Sequence, residues 1–135
     1  PESTSIQAAT LIFIAIQGLG AYFFAGVHKL LEPRWRSGVL LKNIYYQSSF
    51  AVPWLTRQSW MSHINWKIAS LTIIIIELSA GSILTLPRPF VWSFLSIALL
   101  FHIWNVLTWG LNHFLLTFSA SFPAILWCYE WLHIN

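Results

Sequence analysis

Residues 5–31 form an almost unbroken apolar run whose only charged side chain, Lys29, sits near its end. A segment that crosses the hydrocarbon core of a bilayer needs about 20 such residues, and in lipid it can satisfy its backbone only by coiling into a helix. A run of this length fixes a long apolar helix at the front of the fold. The rest of the chain sets its environment. Hydrophobic residues make up 57% of the sequence and charged residues 8%, against about 25% charged in soluble domains. The expectation is an all-α integral membrane protein, a single membrane-embedded helical domain over residues 1–135 with no separate soluble part.

Hydropathy and punctuation predict four transmembrane helices, at about 5–31, 65–86, 89–109 and 113–132. Glu32-Pro33-Arg34 closes the first, Leu86-Pro87-Arg88-Pro89 turns the second into the third, and Gly110 separates the third from the fourth. Pro123 is expected to kink the fourth. No basic segment precedes the first run, so it is expected to remain as a permanent helix and not to act as a cleaved signal. The lone Cys128 has no partner for an internal disulfide and is expected to be inert packing.

Residues 34–60 are too polar to span but carry Trp35, Tyr45, Tyr46, Trp54 and Trp60. Leu40, Leu41, Ile44 and Tyr45 alternate at helical spacing with Arg36, Lys42 and Asn43. This pattern predicts an interfacial amphipathic segment lying flat at headgroup depth and ended by Pro53. Six of the seven basic residues, all but Arg88, fall in or beside this first connection. That asymmetry places it on the cytoplasmic side, with both termini across the membrane. The net charge of +3 favours contact with anionic lipid over nucleic acid, because no solvated basic domain exists to hold a duplex.

Ionisable groups at membrane depth each cost roughly 3 kcal/mol or more and face protein or a cavity. Glu77 is the clearest, with Ser70 and Gly81 on its helical face. His102 shares a face with Asn105 and Trp109, and His28 and Lys29 close the first helix. Each has a plainer structural reading. Glu77 can pair with Lys29 to fix packing, His102 and Asn105 can be interhelical hydrogen-bond glue, and Lys29 can snorkel to the headgroups. Gly18, Ala21 and Ala25 form a small-residue face suited to close helix packing.

The segments Tyr22-Phe23-Phe24-Ala25-Gly26-Val27-His28-Lys29-Leu30, Glu77-Leu78-Ser79-Ala80-Gly81 and Phe101-His102-Ile103-Trp104-Asn105, in that order, resemble the second half of the transmembrane domain shared by vitamin K-dependent gamma-carboxylase and the bacterial HTTM (horizontally transferred transmembrane) proteins. The resemblance covers about residues 20–126. It implies a helical membrane fold in which Lys29 takes the place of the base that deprotonates reduced vitamin K, and His102 that of the family's Phe-His histidine. The family's preceding helices and its peptide-binding domain have no counterpart in these residues, and position 28 is His where the carboxylase has a second lysine.

The function expected from these features is that of a small non-catalytic subunit of a larger membrane complex, for example a photosynthetic or respiratory one. It would pack lipid, quinone or pigment and contact other membrane subunits and lipids, but no nucleic acid. Two alternatives stand beside it. An HTTM-like enzyme fragment would use Lys29 as base, with Glu77 and His102, on a quinol-like or lipid substrate. A haem- or chlorin-binding protein would ligate through His102 or His113, with Asn105 nearby. No metal site is expected.

Overall fold

Helix α1 spans Glu2–Leu31. It ends because Pro33 forces the residue before it out of the helical region: Glu32 is extended, at φ −85° and ψ 113°. The Glu32 carboxylate then accepts from the Arg34 amide at 3.2 Å and caps the short α2, Pro33–Arg36. Gly38 reverses the chain at φ +78° into α3, Val39–Tyr46. The computed structural model describes residues 2–46 and 53–134, so part of the predicted interfacial segment, 47–52, lies outside the described residues.

Pro53 opens α4, Pro53–Thr56, since proline is pre-organised for a first helical turn; the end expected just before it falls on residues 47–52, outside the described residues. A 3-10 turn, Ser59–His63, leads to α5, Trp66–Ser79, whose first turn is capped by the Asn65 side chain accepting from the Ile68 amide. A second 3-10 turn, Ile83–Thr85, precedes α6, Arg88–Trp109, which closes on Gly110 in the left-handed conformation. Helices α7, Asn112–Ser119, and α8, Phe122–Ile134, complete the chain. Among the described residues there is no strand.

Among the described residues, two helices are long and apolar enough to cross a membrane, over Ser5–Leu31 and Arg88–Trp109. The other two predicted spans are shorter. Helix α5 has 14 residues, about 21 Å of rise. It stops where the Ser79 hydroxyl donates back to the Ile76 carbonyl and the Ser82 hydroxyl to that of Ser79, serine contacts that compete with helix continuation. The stretch 113–132 is broken, not kinked, because the Pro123 ring cannot coexist with an uninterrupted helix through residue 119. The chain turns at Ala120–Ser121 and restarts with Pro123 in the first turn of α8.

Helix α1 packs against both α5 and α8. Ala15, Leu19 and Tyr22 of α1 join Val91, Phe94, Leu95 and Ala98 of α6 and Ala124, Ile125 and Cys128 of α8 in one core. On the expected small-residue face, Gly18 meets a neighbour closely: a Cβ there would lie 2.6 Å from the Ser121 hydroxyl. Ala21 is exposed and Ala25 half-buried. A second cluster, around Leu55 and Met61, gathers Tyr45, Trp66, Trp104 and Trp109 under the first connection, and the Trp104 indole donates to the Tyr45 hydroxyl at 2.8 Å. Elsewhere the surface is strongly apolar, with Phe13, Ile16, Phe24, Ile75 and Leu100 all exposed.

Gly38 and Gly110 separate two demands on glycine. Both have positive φ, but a Cβ on Gly38 would lie 2.3 Å from the Trp66 carbonyl carbon, whereas nothing approaches Gly110. Gly110→Ala is expected to cost about 1–2 kcal/mol, the left-handed backbone penalty. Gly38→Ala, which adds a backbone collision, is expected to cost roughly 3 kcal/mol or more. Thermal unfolding of both variants in detergent checks this; equal shifts would remove the α2–α5 contact from the account.

Candidate functional site

Tyr22, Gly26 and Lys29 follow one another at spacings of four and three, so they share one face of α1. Gly26 lets that face close on α5: a Cβ there would fall 2.9 Å from the Leu78 amide nitrogen and 3.0 Å from the Glu77 Cβ. With the backbones this near, the Lys29 ammonium donates to both oxygens of Glu77, at 2.6 and 2.8 Å. The Glu77 side chain is 9% exposed and that of Lys29 20%, so the pair is largely removed from solvent. The Lys29 ammonium also lies 5.3 Å from the centroid of the Trp35 ring, a cation–π distance. Trp35 is fixed in turn, because its carbonyl accepts from the buried Ser70 hydroxyl at 2.6 Å.

About two helical turns before Lys29, the Tyr22 hydroxyl lies 2.7 Å from Nε2 of His102. The imidazole is held in place by a near-parallel stack on Phe118, with centroids 4.7 Å apart. Phe118 also contacts the Tyr22 ring at 4.8 Å, so α1, α6 and α7 meet at this histidine.

A cavity of about 230 Å³ opens beside the ion pair, lined by Lys29, Trp35, Tyr45, Phe101, Asn105 and Trp109 among others. Phe101 and Ile73 divide it from a smaller space of about 70 Å³ bounded by Tyr22 and Glu77. The two polar pairs therefore adjoin neighbouring hollows. Among the described residues, Asn105 Oδ1, Trp109 Nε1 and His102 Nδ1 are buried without hydrogen-bond partners, each a desolvation cost left unmet there.

Of the candidate residues, Lys29 and Glu77 are brought into direct contact, as the cost of an unpaired buried carboxylate requires. His102 is adjacent through Tyr22, and Asn105 lines the larger cavity. His102 acts as interhelical hydrogen-bond glue, joining α6 to α1 through Tyr22, whereas Asn105 Oδ1 finds no partner among the described residues. His113 lies exposed on the first turn of α7, apart from this group. A haem or chlorin on His102 would have to use Nδ1, since Nε2 is engaged with Tyr22. Sequence reasoning missed Tyr22 and Trp35 as site residues. The four-and-three spacing to Gly26 and Lys29 carried a signal for Tyr22; nothing local carried one for Trp35, which reaches the site through the α2 turn.

Comparison with protein-family models, with curated proteins and with solved structures finds no match.

Removing one partner of a largely buried ion pair strands the other. Glu77→Gln is expected to cost about 3 kcal/mol, the low end for such a loss, because Lys29 can swing toward solvent. Lys29→Met combined with Glu77→Leu removes both charges and is expected to recover most of that loss. A double-mutant cycle closed by Lys29→Met and Glu77→Leu singly, read by chemical unfolding in detergent, checks the coupling; additive effects would mean that the pair contributes nothing.

Proposed function

We propose that this chain is a multi-pass integral membrane protein in which α1 and α6 cross the bilayer and α5 and the α7–α8 pair complete the bundle. Its role is that of a non-catalytic accessory subunit of a larger membrane assembly, holding one apolar ligand (a lipid, quinone or pigment) in the cavity beside Lys29. One observation carries this reading: the cavity wall presents Lys29 already committed, through two hydrogen bonds, to Glu77. An ammonium held this way anchors packing and offers no free base. The aromatic walls and the unpaired atoms of Asn105 and Trp109 suit a mostly apolar molecule with a few polar groups. The exposed apolar side chains of α1 are what lipid or neighbouring helices would cover. In this setting the chain corresponds to the C-terminal half of an HTTM-like domain, with its first connection on the cytoplasmic side.

The enzyme alternative draws on the second polar pair. Tyr22 and His102 form a hydrogen-bonded donor–acceptor couple one hollow away from Glu77, an arrangement that could relay a proton if the missing part of a site came from another chain.

Gentle-detergent purification followed by an absorption spectrum and mass spectrometry of co-eluting molecules tests the first reading. The expected result is co-elution with other membrane polypeptides and one tightly held apolar compound; a colourless monomer with no bound molecule overturns it. The double variant Lys29→Met/Glu77→Gln separates the alternatives. An accessory role predicts that the host assembly keeps its activity, whereas loss of a base predicts a fall of about 10² to 10⁴ in turnover.

A further inference from the structure

We infer that the end of the bundle formed by the first connection carries a binding site for the phosphate headgroup of an anionic phospholipid, built on Arg36, Lys42 and Lys67. The inference rests on the membrane reading above. Three elements place these residues together. Gly38 crosses α5 so closely that a Cβ on it would lie 2.5 Å from the Lys67 amide nitrogen. Arg36 stands two residues before that crossing, and Lys42 one turn after it, its amide bonded to the Gly38 carbonyl at 3.0 Å. The three side chains are exposed, and among the described residues none makes a hydrogen bond or an ion pair.

The nearby acids cannot neutralise them. Glu32 accepts from both the backbone and the guanidinium of Arg34, and these bonds hold its carboxyl below the usual range. Glu77 is taken by Lys29. At the far end of α6, about 33 Å away by helix rise, Arg88 is already paired with Glu130 at 3.0 Å. Among the described residues, uncompensated Lys and Arg charge is thus confined to one end. The exposed Trp54, Trp60 and Tyr46 at that same end are side chains that settle at headgroup depth, where a phosphodiester would meet the three cations. Charge complementarity with the anionic leaflet selects the occupant.

Spin-labelled phosphatidylglycerol and phosphatidylcholine in vesicles containing the whole chain provide the test. Phosphatidylglycerol is expected to associate about fivefold more strongly than phosphatidylcholine at low salt, and less than about twofold at 0.5 M salt. The triple variant Arg36→Gln/Lys42→Gln/Lys67→Gln is expected to lose the preference while retaining the same shell of restricted phosphatidylcholine, which reports that it is inserted and folded. Arg88→Gln is expected to keep the preference. Equal association of the two lipids with the unaltered chain, or a preference that survives the triple change, overturns the inference. Displacement by glycerol 3-phosphate would assign the site to a soluble phosphate and overturn the lipid assignment. Absence of any restricted lipid overturns the membrane reading and this inference with it.

Discussion

The Lys29–Glu77 pair is the contact around which the helices are arranged. A carboxylate this deeply buried is tolerable only with a charged donor at hydrogen-bond distance, and the donor comes from a helix 48 residues away in sequence. Meeting that distance fixes the separation of α1 and α5, and Gly26 is the residue that permits it. The same closure carries Trp35 over the ammonium and brings the Trp35 carbonyl to Ser70. A pair of this kind does not by itself add much net stability, since desolvation offsets its attraction. What it supplies is register: sliding α1 along α5 by one turn would leave both charges without a partner.

Register along α1 then determines where the remaining polar groups fall. Tyr22 stands on the same face as Lys29, so fixing Lys29 also delivers the phenol to His102. That histidine has its plane set by Phe118, which is available because the chain after Gly110 turns back toward α1. The cavity follows from this arrangement and from bulky neighbours. Trp35, Tyr45, Phe101 and Trp109 are too large and too angular to fill the corner between α1, α3 and α6, and a space of about 230 Å³ remains.

Much of this was legible in the sequence, for identifiable reasons. Long apolar runs and strong punctuation located α1 and α6 nearly to the residue, since proline and glycine dictate backbone angles regardless of tertiary context. The expense of an isolated carboxylate made the partner of Glu77 predictable from a short inventory of cations. Helix continuity was less legible. Apolar composition measures what a segment can be buried in, not whether its backbone stays helical. The serines after Ile76 and the proline at 123 interrupt α5 and the α7–α8 stretch without altering their hydropathy. Trp35 and Phe118 were illegible as site residues because their places depend on turns, at Glu32–Pro33 and Gly110, whose direction no local pattern encodes.

The interruptions also bear on how the site can hold a ligand. An unbroken fourth helix would run straight past α6, and Phe118 could not stack on His102 while Ser121 packs on Gly18. Splitting the segment lets α7 serve the histidine and α8 serve α1. Likewise, the early end of α5 leaves Glu77 two residues from its last residue, Ser79, so the acid stands where the helix gives way to a turn. Backbone that departs from the helix inside an apolar setting is tolerated where it is covered by protein or lines a cavity. Here both departures lie beside the two polar pairs. The irregularities and the buried polar groups therefore belong to one feature: a bundle that has given up helical continuity where α1, α5, α6 and α7 converge, and has placed its ionisable residues there.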